Sequence, residues 1–501
     1  MITVCLNKAD FEYDIHSLVK AFYPVQEVKV FADPEKIHSL EQHVAPLFRL
    51  DIFYHTGGQG QKDRIELILR RLPAEAEEES RIDVRKETEA DFADRKETKN
   101  QLKRCLYRML SEYTGKKLPW GTLTGIRPVK IPMSMLEAGR QESEIKAYIT
   151  ETYLASEQKT DLSIEIAGRE MELLRQMDYK DGYSLYVGIP FCPSICSYCS
   201  FSSSPIAVWK DRVESFLNAL AHEIDSAAQI CSGRKLNTIY IGGGTPTTLT
   251  PSQLERLLSK IETSFEFSHL AEYTVEAGRP DSITRDKLNL LKIHGVSRIS
   301  INPQTMKQET LNIIGRRHTV EQTTEAFWLA RKLGFDNINM DLILGLPGEG
   351  IKDVEYTMES IKTLSPDSLT IHSLAMKRAA RFQMFPEEYQ KFSMTNSWEA
   401  VDLTSEYARK MELFPYYLYR QKNMAGNFEN VGYAKSGKEG IYNILMMEEV
   451  QDIVALGAGS ISKRVYPDGR IERCENVKDV ASFIERIDEM IERKRKLLTD
   501  F

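Results

Sequence analysis

The sequence predicts an α/β protein: a parallel sheet curved into a full or partial barrel, with a small α+β region before it and a second mixed region after it. Two observations carry this. From residue 184 onward six short apolar runs alternate with helical stretches, a strand–loop–helix rhythm that argues for parallel strands joined by right-handed crossovers. The residues with chemical character then fall where the apolar runs end, the edge at which such sheets gather their ligands.

Residues 1–72 alternate strand-like runs (ITVCL, EVKVFA, LFRLDIFYH, RIELILRRL) with one helical stretch near 14–21, a small α+β unit. Residues 74–100 are densely charged and poor in apolar side chains, which predicts a solvated linker or surface helix. Helical periodicity returns at 99–114 and 143–177, on either side of the Gly- and Pro-punctuated loop GKKLPWGTLTGIRPVKIP. The barrel strands are expected at 184–189, 236–243, 272–277, 296–301, 337–345 and 367–374. Helices at 210–231, 251–264, 284–294, 306–334 (in two pieces) and 350–364 separate them. Past 375 come a helical region (386–412), a Tyr-rich strand at 415–420, VALGAGSISK at 454–463, and a final helix whose apolar spacing marks a packed outer helix. The chain thus divides into 1–98, a helical connection 99–180, the barrel 181–375 and a C-terminal region 376–501.

Composition narrows the function. With 42% apolar and 28% charged residues, the 501-residue chain reads as a soluble globular protein of two or three domains. A net charge of −7 gives no electrostatic case for a nucleic-acid or membrane partner. The N-terminus lacks the pattern of a signal peptide, and no apolar run approaches the roughly 18–20 residues of a membrane span, so a cytoplasmic location is expected.

The chemistry concentrates in YVGIPFCPSICSYCSF, where Cys192, Cys196 and Cys199 are spaced C-x₃-C-x₂-C. The other cysteines (Cys5, Cys105, Cys231, Cys474) stand singly and read as small apolar fillers. Structural zinc wants four ligands, but no second cysteine pair exists and the nearest histidine downstream is His222. An iron–sulfur cluster suits three thiolates better, and a four-iron cube held by three leaves one iron open for reaction. Beyond the next strands lie GGGTPT (Gly242–Thr247), whose bare backbone can approach a ligand, then Glu276, Gln304 and Asp341. Asp341 lies between apolar neighbours, where an unpaired charge is costly.

These motifs resemble the radical S-adenosylmethionine (SAM) enzymes. More narrowly, GIPFC…C…C, GGGTPT, IGRRHT and DLILGLPGE are similar to the oxygen-independent coproporphyrinogen III oxidase (dehydrogenase) family over residues 184–462. The leading LPWGTLTGIRP is similar to its HemZ-type branch. The resemblance implies a partial (β/α)6 barrel of radical SAM type with a C-terminal α+β cap covering the substrate. It implies a [4Fe–4S] cluster on Cys192, Cys196 and Cys199, and SAM contacts at Tyr186, Gly242 and Glu276. Some relatives hold a second SAM; the matching positions are Tyr198, Gly243, Gly244, Thr245, Gln304, Arg316 and Asp341, with Ser373 as a backbone contact.

The implied reaction begins with reductive cleavage of SAM, after which the 5′-deoxyadenosyl radical removes a hydrogen from the β-carbon of a propionate. Loss of carbon dioxide and one electron leaves a vinyl group, and two such conversions give protoporphyrinogen IX. The electron donor would be a flavodoxin or ferredoxin. A tetracarboxylate tetrapyrrole substrate also calls for cations, and Arg317, Lys377, Arg378, Arg381, Arg420 and Lys422 are the candidates. Two departures stand beside the cluster motif: HemN-type enzymes carry His at the position of Gly188 and Cys at that of Phe201. The HemW-type haem chaperones are the alternative. Their His-Asn…Tyr-Trp motif is matched here only by IYNILMMEE, with Tyr442 and no histidine, His372 being the last in the chain. A radical SAM enzyme acting on another tetrapyrrole such as haem is a third reading.

Overall fold

The computed structural model describes residues 1–58, 62–71, 81–375, 377, 379–394, 396–421 and 428–499, and these form two compact units. The first comprises Met1–Ala167 with Arg420–Glu429; the second comprises Gly168–Tyr419 with Asn430–Phe501. No helix among the described residues is long and apolar enough to cross a membrane.

The first unit is built on a five-stranded sheet of β1 (Ile2–Leu6), β2 (Val28–Phe31), β3 (Arg49–His55), β4 (Asp63–Arg71) and β5 (Arg81–Ala90), in the order β2-β1-β3-β4-β5. Ile2, Val4 and Leu6 of β1 share one core with Leu102, Leu106, Met109 and Leu110 of the helix Arg95–Thr114. That helix therefore completes the N-terminal unit, where a separate connecting region is the sequence expectation. The expected linker or surface helix at 74–100 is corrected as well: residues 81–90 form an edge strand, and 72–80 lie outside the described residues. Its charges are cross-strand partners to β4 (Arg64–Glu87 at 3.1 Å, Arg85–Glu66), the pattern of a solvated and protected sheet edge. The helical periodicity over 143–177 is carried by two helices, Glu142–Tyr153 and Glu157–Arg175, because Leu154 turns left-handed at φ 55°.

The second unit contains the barrel. Its six parallel strands are β6 (Gly182–Ile189), β9 (Lys235–Gly243), β10 (Glu272–Gly278), β11 (Arg298–Ile301), β12 (Ile338–Leu344) and β13 (Ser368–Ser373); β7 (Phe191–Cys192) and β8 (Ser204–Pro205) form a small ladder of their own. Leu185, Val187, Ile239, Ile241, Val275, Ile299 and Met340 are wholly buried, as strands covered on both faces require. Three of the intervening helices begin on threonine caps: Thr250, Thr284 and Thr319 accept from the backbone N–H of Gln253, Lys287 and Gln322.

The C-terminal strands join the barrel sheet at both of its edges. β14 (Phe414–Tyr419) and β15 (Asn430–Ala434) extend the barrel sheet antiparallel beyond β13. At the other edge β16 (Asp452–Leu456) runs parallel to β6 and is followed by β17 (Ile461–Val465) and β18 (Ile471–Glu475). The helical region expected at 386–412 begins only at Trp398, where Ser397 caps Ala400 N–H; among the described residues before it the stretch holds one 3₁₀ turn, Pro386–Glu388.

Candidate active site

The three-cysteine loop leaves the C-terminal end of β6. The β7–β8 ladder fixes its entry, and Ser204 N–H donates to the Pro190 carbonyl at 2.8 Å. Within the loop, Cys199 N–H donates to the Cys196 carbonyl at 3.1 Å. Ser197 ties it to three places: its N–H donates to Ile314 O (3.0 Å), its carbonyl accepts from Phe382 N–H (3.1 Å), and its hydroxyl accepts from Tyr389 (2.8 Å). Cys192 and Cys196 are buried and Cys199 half-buried. Burial pushes the Cys192 thiol up, against hydrogen bonds from Thr245 and Ser203, and pushes Cys199 up to about 11. Cluster assembly must therefore displace protons from these sulfurs. Among the described residues no three His, Cys, Asp or Glu side chains converge as ligands of a single ion would; the thiolates of a four-iron cube stand on separate irons and need not converge.

The glycine triplet packs against this loop. A Cβ on Gly244 would lie 2.5 Å from Phe191 O and 3.0 Å from Cys192 Sγ, and one on Gly242 would lie 3.0 Å from the Glu276 carboxyl carbon. Gly243 sits at φ +105° against the Ile189 backbone. Within the turn read as bare backbone for a ligand, the N–H groups of Gly244 and Thr245 are already engaged. Gly244 N–H donates to Ile189 O and Thr245 N–H to Phe191 O, both at 2.7 Å, so neither is open to a ligand. Thr245 is buried, and its hydroxyl points to Cys192 Sγ at 3.5 Å.

Glu276 sits at a bulge where the register between β10 and β11 shifts, a device that re-aims a side chain. It accepts from the Tyr240 hydroxyl at 2.6 Å, and the rings of Tyr240, Tyr186 and Tyr442 cluster together, with Tyr240 6.2 Å from Tyr186 and 4.6 Å from Tyr442 and those two 6.3 Å apart. Burial, with the nearby charge of Asp341, pushes the Glu276 carboxyl up to about 7, against the Tyr240 hydrogen bond and Arg298. Asp341 accepts from Asn339 Nδ2 at 2.7 Å and faces His372 Nε2 at 3.9 Å; His372 Nδ1 meets the Tyr419 hydroxyl at 3.2 Å. The burial that would raise Asp341 is outweighed by His372 and Asn339, and its carboxyl lies below the ordinary range.

Gln304 is held at φ 69°, a left-handed conformation unusual for a non-glycine residue and a mark of local constraint, by backbone bonds to Asp341 O (2.9 Å) and from Ile343 N–H (3.0 Å). Arg316 is buried, donates to the Asn302 carbonyl, and interacts with Tyr198 and Cys196. Gln304 Oε1, Arg316 Nε, Asn302 Oδ1 and Ser300 Oγ are buried without a hydrogen-bond partner. Orphaned polar atoms gathered at and beyond the end of β11 are what a polar ligand would satisfy, so this region and the three thiols fit SAM and a cluster. Ser373 is less open: its N–H donates to Asn430 Oδ1 (2.8 Å) and its hydroxyl accepts from Asn396 (3.0 Å).

The expected substrate cations that the structure describes have different surroundings. Arg317 is exposed and Lys377 half-buried, while Arg381 is held in a two-pronged pair by Glu388 at 2.6 and 2.9 Å. Arg378 and Lys422 lie outside the described residues. Arg420 is corrected: it is buried in the first unit, where it donates to the carbonyls of Leu123 (2.6 Å) and Phe428 (3.3 Å) and lies over the Trp120 ring. Sequence reasoning missed Tyr240, Arg279, Asn302, His372 and Tyr419. Only Tyr240 carried a usable signal, two residues before Gly242 and so on the same strand face.

A parallel barrel with a three-thiol loop after its first strand and polar residues closing the following strands has the build of a radical SAM protein. Residues 186–361 match the family model of the radical SAM superfamily. The chain is 41% identical over 408 residues to the oxygen-independent coproporphyrinogen-III oxidase-like protein HemZ of Bacillus subtilis, spanning 80% of this chain and 81% of that one. It is 32% identical over 307 residues to the heme chaperone HemW of the same organism, covering 61% and 76%. The solved structure of coproporphyrinogen III oxidase (HemN) from Escherichia coli superposes with a TM-score of 0.50 at 21% identity, over 64% of this chain and 73% of that one, a likeness of fold. The chain belongs to the radical SAM superfamily and, within it, to the family of the coproporphyrinogen-III oxidase-like protein HemZ. That family implies a [4Fe–4S] cluster and SAM.

Proposed function

We propose that this protein oxidatively decarboxylates the propionates of coproporphyrinogen III to vinyl groups, using SAM and a [4Fe–4S] cluster. The observation that supports this most directly is the gathering of Cys192, Cys196 and Cys199 with Glu276, Gln304, Arg316 and Asp341 at one edge of the barrel. On this reading Cys192, Cys196 and Cys199 would hold the cluster, Tyr186, Gly242 and Glu276 would hold the SAM beside it, and the polar group around Gln304, Arg316 and Asp341 would receive a second SAM. When bound, the pair supplies a 5′-deoxyadenosyl radical able to take a hydrogen atom from a propionate. The chain's own part is positioning and exclusion of water. Tyr240 fixes the Glu276 carboxyl to face an ammonium, and Asn339 and His372 fix Asp341 to accept hydroxyl groups. Arg317 and Lys377 remain as cations for the substrate carboxylates, and a flavodoxin or ferredoxin supplies the electrons.

The test is anaerobic: reconstituted, reduced protein is given SAM and coproporphyrinogen III, and deoxyadenosine and tetrapyrrole mass are followed. Deoxyadenosine with stepwise loss of two carboxyl groups is expected, and Cys192→Ala should abolish both. The likeness to HemW supports a second reading as a haem carrier. Tyr442 is buried against Tyr240 and so is poorly placed to meet a haem from outside. Haem bound one-to-one without porphyrinogen turnover would nevertheless favour the carrier, and SAM cleavage with unchanged porphyrinogen mass would redirect the search to another tetrapyrrole such as haem.

A further inference from the structure

We propose that Arg279 is a positioning residue that aims a cationic N–H at the sulfur of Cys196 and makes the cluster easier to reduce. The inference rests on the reading of the three cysteines as cluster ligands. Arg279 follows β10 and is 3% exposed, so its charge is answered by the protein and not by water. Its Nη1 lies 3.0 Å from Ser194 Oγ, 3.2 Å from Ser194 O and 3.7 Å from Cys196 Sγ. Its other side is gripped by Asp281, with Nε to Oδ1 at 3.0 Å and Nη2 to Oδ2 at 2.7 Å, the two-pronged geometry that fixes a guanidinium in plane. Asp281 is itself placed by the 3₁₀ turn Pro280–Ser282, which Ser282 closes by donating to the Arg279 carbonyl at 2.7 Å. The guanidinium therefore has one orientation available, and that orientation faces the cysteine loop.

The three sulfurs are not treated alike. Cys192 receives a neutral hydroxyl from Thr245, and Cys199 is partly open to solvent, whereas Cys196 meets Arg279 and interacts with the buried Arg316 as well. Reduction adds a negative charge to a cluster. A fixed cation and N–H donor at one of its sulfurs favours the reduced form, and the dry surroundings strengthen that effect.

The experiment compares wild type, Arg279→Gln, Arg279→Lys and Asp281→Asn after anaerobic reconstitution. Iron and sulfide per chain are measured, then the midpoint potential by redox titration followed by electron paramagnetic resonance. Arg279→Gln keeps a polar group for Ser194 and should load the wild-type complement of iron. Its ratio of reduced to oxidised cluster at a fixed potential should fall about tenfold, or about 59 mV for a one-electron couple. Arg279→Lys should recover part of the loss, and Asp281→Asn, which removes the counter-charge, should move the potential upward. An unchanged potential in fully loaded Arg279→Gln overturns the inference and leaves Arg279 as a pin for Ser194. Should that variant fail to load, Asp281→Asn decides, and an unchanged or lowered potential there overturns it. Wild type that assembles no cluster would sink the cysteine reading itself, a different failure from this one.

Discussion

Glu276 combines a functional position with a cost in stability. Its carboxyl ionises near an ordinary 4.5 in the unfolded chain but at about 7 when folded, so between those values the native state holds a proton that the unfolded chain has lost. Stability from this group is therefore full below about pH 4.5 and declines as pH rises toward 7, by about 3 kcal/mol in all. Glu276→Gln should raise the unfolding temperature of cluster-free protein at pH 8 and give no gain near pH 4.5; a variant no more stable at pH 8 would refute the account. If Glu276 receives the SAM ammonium as proposed, wild type should release protons on binding SAM near pH 7, and the Gln variant should not. Calorimetry in buffers of different ionisation heat reads this directly. The cysteine trio was legible in the sequence because its three members lie within eight residues. The direction of Arg279 was not, since it depends on Asp281, Ser194 and a turn whose geometry no spacing announces.

At the scale of elements, the cysteine loop and the glycine turn after β9 form one packed piece. Gly244→Ala would put a methyl 2.5 Å from the Phe191 carbonyl and 3.0 Å from Cys192 Sγ, so the loop must shift. Overpacking of this kind costs about 1–3 kcal/mol, and iron bound per chain after reconstitution should fall severalfold. Gly168→Ala is the contrasting case. It lies within the helix Glu157–Arg175 with nothing within 4 Å of an added methyl, and should stabilise the helix by up to about 1 kcal/mol without changing iron content. Equal iron in both variants would remove the claim that Gly244 serves the loop. Barrel strands were readable from their apolar runs and barrel helices from the stretches that separate those runs. The later strands were not readable as barrel extensions, because alternation marks a strand but not its partner. Thus β16 pairs with β6 across more than half of the second unit's sequence. Residues 81–90 were misread for a related reason: without sight of Arg64 and Glu66 opposite, a charged edge strand and a charged linker look alike.

At the scale of the molecule, residues 420–429 belong to the first unit although the chain on either side of them belongs to the second. What ties Glu429 to the first unit is a buried charge. Glu429 pairs with Lys159 at 2.6 Å, the two side chains 1% and 3% exposed, and also accepts from the indole N–H of Trp120 at 2.8 Å, a contact between residues 309 apart in sequence. The sequence offered LPWGTLTGIRP as a punctuated loop and as a likeness to one branch of the family, but nothing local indicates that Trp120 needs an acid from so far along the chain. Glu429→Gln should remove the carboxylate charge that lies 2.6 Å from the buried Lys159 ammonium, at a cost of about 3–5 kcal/mol. Replacing both partners with apolar side chains, Lys159→Met with Glu429→Leu, should recover most of that loss, because the expense lies in the buried charge and not in the missing pair. Hydrogen exchange resolved by segment is the measurement. Faster exchange is expected in residues 1–167 and 428–429 of the single variant, while strands β6 to β13 keep their protection and the reconstituted protein its iron. Loss of protection spread evenly through both units would mean that this pair holds the whole chain together, and undiminished protection everywhere would mean that Trp120 and Arg420 hold the segment without it.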